Sequence, residues 1–148
     1  MYRNMRWVLL YRLSEHGVSM NTFVNRLQGY EQTLIIIEDK QRCKFGGFCT
    51  EEWHFGSQFF GTGDNFVFTF KDKDLCEMWY ASGDNQMYQF CDRTGFGLGG
   101  GIHGGRFALY LGNDLLKGSS TKTECFHNET LASAPDYECV DLEVWGFE

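Results

Sequence analysis

Residues 95–105 are the part of the chain whose residue types and spacing most suggest chemistry. Seven glycines lie in this stretch, and Gly95, Gly97 and Gly100 fit the pattern G-x-G-x-x-G. A dinucleotide site needs a helix after such a loop, because the helix N-terminus helps to hold the pyrophosphate. Residues 106–111 (RFALYL) instead alternate like a strand, and no Gly-Lys-Ser/Thr occurs. We therefore predict no nucleotide site, and a loop whose glycines allow positive φ and close packing against aromatic side chains.

Histidine and cysteine side chains, the usual ligands of a structural metal, lack the spacing of a metal site in this chain. There are four histidines and six cysteines, with no C-x-x-C motif and no histidine pair at ligand spacing. We predict no metal and no cofactor, and we expect the cysteines to be buried free thiols. A redox-active cysteine is the alternative hypothesis.

Three carboxylates, Asp141, Glu143 and Glu148, form an acidic stripe at the end of the chain. Paired carboxylates can perform acid–base catalysis. However, acids that alternate with apolar residues are typical of the solvent-facing side of a strand. The alternative interpretation is an acidic edge that binds a partner. No G-x-S-x-G or Cys–His signature of a nucleophile is present. We predict no catalytic residue and no enzymatic activity.

Most of the chain has the two-residue periodicity of strands. In the first strand this pattern places Trp7, Leu9 and Tyr11 on one face, and the SGDN turn at residues 82–85 predicts a hairpin between its neighbouring strands. Residues 51–60 are ambiguous. Strands are predicted at residues 7–11, 34–37, 45–49, 66–70, 78–81, 87–91, 107–111 and 140–144.

One segment has the pattern of a helix. Apolar residues recur at i, i+3, i+4 and i+7 from Met20 to Leu27, with Ser19 as a plausible N-cap and Gly29 as a C-terminal cap. Residues 14–17 are interpreted as a turn. One helix among closely spaced strands predicts a β-rich α+β domain, with a β-sandwich as the expected architecture.

Composition restricts the classes of partner. The 148 residues favour one domain, and 43% of them are hydrophobic, enough to form a core. The formal charge of −7 disfavours nucleic acid and anionic lipid. The longest aliphatic run has four residues, which excludes direct membrane insertion. The N-terminus lacks the features of a signal peptide, so we expect an intracellular protein.

Several motifs, in order and spacing across nearly the whole chain, resemble the TLDc domain family. The resemblance is carried by WVLLY at residues 7–11, FGTGDNFVFTF at 60–70, LGGG at 98–101, RFALYL at 106–111, DLLKGSS at 114–120 and LEVWGF at 142–147.

The resemblance implies a single domain over residues 1–148, a sandwich of two antiparallel sheets flanked by short helices. It also implies an intracellular protein related to oxidation-resistance proteins, some of which bind the vacuolar proton-pumping ATPase (V-ATPase) and regulate it. It supplies no agreed set of catalytic residues. We expect a non-enzymatic interaction domain that binds the cytosolic sector of the V-ATPase, regulates that ATPase and contributes to oxidative-stress resistance. A partner would recruit it to organelle membranes or to the cytoskeleton. The alternative is a structural interaction module in a large cytoskeletal or ciliary assembly.

One departure from the family pattern is the pair Ile102 and His103, which interrupts the glycine run. The candidate partner-binding residues are therefore Ile102, His103, Asp141, Glu143 and Glu148. The glycines expected to serve structural roles are Gly61, Gly63, Gly99, Gly100, Gly101 and Gly146.

Overall fold

Ten β-strands and two short helices make up the part of the chain described by the computed structural model, residues 5–100 and 106–148. None of the helices in these ranges is long and apolar enough to cross a membrane. In chain order the elements are β1 (Trp7–Arg12), α1 (Leu13–His16), α2 (Met20–Arg26), β2 (Thr33–Asp39), β3 (Lys44–Cys49), β4 (Phe66–Thr69), β5 (Glu77–Tyr80), β6 (Gln89–Asp92), β7 (Gly95–Gly100), β8 (Phe107–Gly112), β9 (Lys117–Ser119) and β10 (Asp136–Phe147).

The long strand β10 joins two antiparallel sheets. Its first three residues pair with β9, and β8, β7 and β6 follow in sheet B. The rest of β10 pairs with β2 on one side and β1 on the other, and β3, β4 and β5 follow β2 in sheet A. Buried side chains of both sheets, such as Ile35 and Leu98, belong to one hydrophobic core. The predicted β-rich α+β fold with antiparallel sheets and short helices is confirmed.

Helix α2 forms where the sequence predicts it. The Ser19 hydroxyl accepts a hydrogen bond from the Thr22 N–H at 3.2 Å and caps the helix. The apolar stripe, including Phe23 and Leu27, is buried. The turn predicted at residues 14–17 is wrong, since residues 13–16 form α1, which ends at Gly17 with φ +82°.

Two β-bulges change which side chains face the core. The register of β1 against β10 shifts between Leu9 and Tyr11, so Leu10 and Tyr11 are both buried, whereas Trp7 is half exposed. The predicted shared face of Trp7, Leu9 and Tyr11 is therefore wrong. A second shift, between Cys139 and Asp141, leaves Val140 51% exposed.

The hairpin predicted around residues 82–85 is also wrong. Strand β5 pairs with β4 at one edge of sheet A, and β6 pairs with β7 at the far edge of sheet B. Residues 82–85 do form a turn, in which the Asp84 N–H donates to the Ser82 hydroxyl. The backbone N–H of Ser82 then donates to the Cys125 carbonyl at 2.9 Å, which ties the connection to another loop as it crosses between the sheets.

The glycine run is a strand where the structure describes it. Residues 95–100 form β7 between β6 and β8, so the predicted loop is wrong for these residues. A Cβ at Gly99, whose φ is +70°, would lie 2.6 Å from the ring of Phe126. A Cβ at Gly100 would lie 2.8 Å from the ring of Phe59. Glycine here lets aromatic rings contact the strand backbone.

The remaining described glycines of interest differ in their surroundings. Gly61 has a φ of +99°, which favours glycine over other residues. At Gly146 a Cβ would lie 2.6 Å from the Tyr30 ring, so a side chain would overlap with it. A Cβ at Gly63 would meet only the Tyr88 hydroxyl, at 3.5 Å, which is an ordinary contact. The structure gives no steric reason for glycine at position 63. Gly101 lies outside the described residues.

Candidate functional site

Asp141 and Glu143 lie on the face of sheet A that points away from the core, here called the outer face. Residues that are directly opposite on neighbouring strands share a face. Glu143 is opposite Ile36, and the same row continues through Gly46 to Phe68. Alternate residues of these strands face the core and are buried. The acidic side of β10 thus becomes part of a surface built by four strands.

A groove on this outer face contains both carboxylates, and we call it the β10 groove. Its volume is about 200 Å³. In this groove Asp141 and Glu143 lie near a third acid, Glu38 of β2, and near two aromatic side chains, Phe68 of β4 and Phe70 just after that strand. The groove is lined by Ile36, Glu38, Lys44, Phe68, Phe70, Asp141 and Glu143.

Arg12 of β1 reaches both carboxylates from the opposite side of β10. Its Nη2 donates a hydrogen bond to Glu143, and its Nε lies 3.9 Å from an Asp141 carboxylate oxygen. The Trp145 indole N–H donates to the other Glu143 oxygen at 2.9 Å. Burial raises the pKa of Glu143, but the hydrogen bonds from Arg12 and Trp145 outweigh it, so the pKa lies below its ordinary value. Glu143 is held as a carboxylate, which suits binding better than proton transfer.

Glu148 does not belong to the β10 groove. Its carboxylate accepts hydrogen bonds from the Tyr30 hydroxyl, at 2.7 Å, and from the Arg6 guanidinium. These bonds lower the pKa of Glu148. The acidic stripe seen in the sequence is therefore two separate groups, one in the groove and one at the end of β10.

The stabilising role of Glu143 gives a prediction about pH. Its folded pKa lies below its unfolded value of about 4.3. Its stabilisation is therefore present above the unfolded pKa and is lost as pH falls through the folded pKa. In urea denaturation, we expect Glu143→Gln to be less stable than the wild type at about pH 7 and to lose less stability between about pH 5 and pH 3.

The matched control for this prediction is Glu138→Gln. Glu138 lies on the same strand, and its exposed side chain pairs with Lys40 at 3.4 Å. We expect this variant to keep the wild-type dependence of stability on pH. Equal pH dependence in the wild type and Glu143→Gln would contradict the stabilising role of the Arg12–Glu143 pair.

Ile102 and His103, the two other predicted partner-binding residues, lie outside the described residues. The strand that precedes them is held at its end, because the Gly100 N–H donates to the Met87 carbonyl at 2.8 Å. Their role in partner binding stays a prediction.

Five of the six thiols lack the solvent exposure of a reactive cysteine. All six are free and five are buried as predicted, but the prediction of burial is wrong for Cys76, which is exposed. Burial, which disfavours the charged thiolate, raises the pKa of Cys91, Cys125 and Cys139 to about 12. Among the described residues no three histidine, cysteine or acidic side chains come together as a metal site would require.

Sequence reasoning missed a buried polar cluster that positions the turn before β4. The Gln89 side-chain carbonyl accepts from the Thr50 N–H at 3.2 Å and from the Asn65 amide at 3.1 Å. Asn65 in turn accepts from the Thr50 N–H, and Gln89 donates to the Glu51 carbonyl. The GTGDN motif contains Asn65 and was the one local signal of this cluster. Gln89 lies far from Asn65 in the sequence, so no local pattern could link the two residues.

The comparisons with known proteins agree with this architecture. The TLDc domain family model matches residues 1–148. Nuclear receptor coactivator 7 of Gallus gallus is 36% identical over 143 residues, which cover 96% of this chain and 15% of that protein. Oxidation resistance protein 1 of Rattus norvegicus and of Homo sapiens are each 36% identical over 143 residues, covering 96% of this chain and 17% and 16% of those proteins. The chain thus spans about one sixth of the length of these relatives. With motifs, fold and family model in agreement, the chain belongs to the TLDc domain family.

Proposed function

We propose that this TLDc domain is a non-enzymatic, intracellular protein-interaction domain that binds the cytosolic sector of V-ATPase and regulates its assembly. Resistance to oxidative stress is the downstream effect that we propose. The observation that carries the proposal is the family match over the whole chain, together with 36% identity to proteins named oxidation resistance protein 1.

The chemistry of the ionisable groups supports a non-enzymatic role. Burial raises the pKa of buried thiols such as Cys49, Cys91 and Cys125 and so leaves little thiolate near neutral pH. Arg12, which lies beside the β10 groove, pairs with Glu143 and lies near Asp141. This pairing lowers the pKa of Glu143 and makes it a poor proton donor or acceptor near neutral pH.

The β10 groove is the surface that we assign to this partner. It combines carboxylates with the rings of Phe68 and Phe70, and binding sites in proteins commonly combine apolar contacts with a few oriented polar groups. A regulator of assembly must bind one state of its partner better than another, so we propose that this surface favours one assembly state of the ATPase.

A pull-down with the purified cytosolic sector of V-ATPase tests the proposal. We expect the wild type to retain the sector at micromolar protein concentration, with less retention in high salt. Asp141→Asn removes one charge from the groove and is expected to reduce retention severalfold, since charges at an interface contribute to affinity. Asp136→Asn changes the same residue type at the exposed start of β10 and is expected to retain the sector like the wild type.

No association at micromolar concentration would count heavily against the proposal. Stoichiometric co-sedimentation with cytoskeletal or ciliary filaments would instead favour the structural-module alternative. The redox-enzyme alternative is tested by substituting the six cysteines one at a time and measuring peroxide protection; loss of protection in one variant would favour it.

A further inference from the structure

Strand β5 (Glu77–Tyr80) is the outermost strand of sheet A. It pairs with β4 on one side, and within the described residues no strand pairs with its other side. An edge strand presents N–H and C=O groups that can pair with another chain. Natural edges are commonly protected by charged side chains, especially lysine, or by proline. The sequence of β5, EMWY, has no lysine or proline, and its one charged side chain is the carboxylate of Glu77, which would attract a basic partner.

Exposed apolar side chains are concentrated at this edge. Phe70, Leu75, Met78 and Tyr80 are four of the eight large hydrophobic side chains exposed among the described residues, and Tyr80 is 63% exposed. Met78 is opposite Phe68 and Tyr80 is opposite Phe66, so both lie on the outer face. Trp79 faces the other way and packs against the core. The Trp79 side chain therefore anchors β5 to the core, whereas its outer face exposes apolar side chains to solvent.

A second groove adjoins this edge, and we call it the Tyr80 groove. Its volume is about 570 Å³, and its lining includes Phe48, Phe66, Tyr80 and the carboxylate of Asp64. The Phe66 and Tyr80 ring centroids are 5.5 Å apart. Ring faces and a nearby carboxylate both attract cations. Among the described residues no lysine or arginine lines the groove, so it suits the side chain of a basic residue.

The charges around β5 favour the same kind of partner. Four acids and two lysines lie between positions 61 and 80. None of the four carboxylates takes part in an ion pair with a described residue. A basic segment would gain from them without displacing an existing pair. The four acids are Asp64, Asp72, Asp74 and Glu77.

We propose that β5 binds an extended basic segment of a partner protein, which adds to sheet A as a further strand and places a lysine or arginine side chain in the Tyr80 groove. Main-chain hydrogen bonds to β5 provide the affinity, and the contacts with Met78, Tyr80 and Asp64 provide the specificity. This site is separate from the proposed V-ATPase function, and its test contains no ATPase.

The test uses synthetic peptides with the full chain, followed by calorimetric titration and by amide chemical shifts. We expect a peptide of alternating lysine and valine to bind and to shift the amides of β5. An alternating glutamate–valine peptide is expected not to bind, because its charge is wrong. A lysine–valine peptide that is N-methylated at alternate residues is expected not to bind either, because it cannot pair as a strand.

Variants locate the site. Met78→Lys combined with Tyr80→Lys places like charges on the edge and is expected to weaken binding by about tenfold or more. Asp64→Asn leaves the edge backbone untouched and is expected to weaken binding severalfold. Val140→Lys adds a lysine at an exposed apolar position of β10 and should bind like the wild type. Circular dichroism and thermal melting establish that each variant is folded.

Several results would overturn the proposal. Equal binding of the glutamate–valine peptide would contradict the basic partner, and equal binding of the N-methylated peptide would contradict strand addition. Unchanged affinity in the folded double lysine variant would contradict the placement at β5. A dimer that is broken by this variant, with no peptide binding to the wild type, would show that a second copy of the chain occupies the edge instead.

Discussion

Replacing Gly46 with alanine is expected to destabilise the protein severely. Gly46 lies in β3, between β2 and β4, in the middle of sheet A. A Cβ at this position would lie 1.8 Å from the carbonyl oxygen of Ile35 on the neighbouring strand. Since the obstructing atom belongs to the backbone, no rotamer change can relieve the overlap, and β2 and β3 would have to separate. We expect the free energy of unfolding to fall by about 3 kcal/mol or more.

Urea denaturation followed by fluorescence measures this effect, and Gly63→Ala is the matched control. Position 63 has an open environment, so we expect this variant to lie within about 0.5 kcal/mol of the wild type. If Gly46→Ala were as stable as the wild type, the close approach of β2 and β3 would be wrong. If Gly63→Ala were as damaging as Gly46→Ala, glycine at position 63 would have a structural role that its surroundings do not explain.

The regular parts of the fold could be predicted because their signals are local. The stripe from Met20 to Leu27 repeats with the period of a helix and Ser19 marks its start, so α2 is found from neighbouring residues. The predicted C-terminal cap at Gly29 is wrong, because the helix is capped at Leu27. Strands β2, β4 and β8 follow from alternation or apolar runs in the same way. The order and spacing of the motifs then identify the family, and the family implies the sheets.

The predictions that failed depend on contacts between distant residues. The bulge at Val140 lies where β10 changes its pairing partner from β9 to β2, and the bulge at Leu10 lies within the pairing of β1 with β10. Alternation alone carries no information about such a register shift. The turn at residues 82–85 has hairpin composition, but the strands on either side of it pair with β4 and β7. Local turn chemistry specifies a reversal of the chain, whereas the partner of each strand is decided by packing across the whole sheet.

The candidate site was predicted in part, for the same reason. Alternation correctly places Asp141 and Glu143 on one face of the last strand. Arg12 is 131 positions from Glu143, and only the pairing of β1 with β10 brings them together. The same topology explains why Glu148, five positions after Glu143, pairs with Tyr30 and Arg6 instead of joining the groove.

Residues 51–60 were the ambiguous part of the sequence, and they contribute the largest fully buried side chain, Trp53. Apart from a single bridge between Phe60 and Gln89, they contain no helix or strand, so periodicity could not reveal which of their residues is buried. The segment is fixed by tertiary contacts. The Gln28 side-chain amide donates to the Trp53 carbonyl at 2.8 Å, and the Trp53 indole N–H donates to the Thr33 hydroxyl at 3.2 Å.

Trp53→Ala is therefore expected to be among the most destabilising single substitutions in the chain. The indole makes edge contacts with Phe23, Phe60 and Phe96, at centroid distances of 6.4, 5.5 and 5.6 Å. Its removal leaves a cavity where α2 meets β7, and it also leaves the buried Thr33 hydroxyl without this donor. We expect the free energy of unfolding to fall by about 3–5 kcal/mol, a large share of the 5–15 kcal/mol that is typical of a domain.

The variant Trp53→Phe separates the two contributions. Phenylalanine retains most of the aromatic contacts but cannot donate to Thr33, so we expect a loss of about 1–3 kcal/mol, between the wild type and Trp53→Ala. Urea denaturation followed by circular dichroism measures both losses without relying on the tryptophan that is changed. Equal stability of all three proteins would mean that residues 51–60 do not hold the two sheets together. A loss in Trp53→Phe as large as that in Trp53→Ala would assign the stabilisation to the indole hydrogen bond instead of to packing.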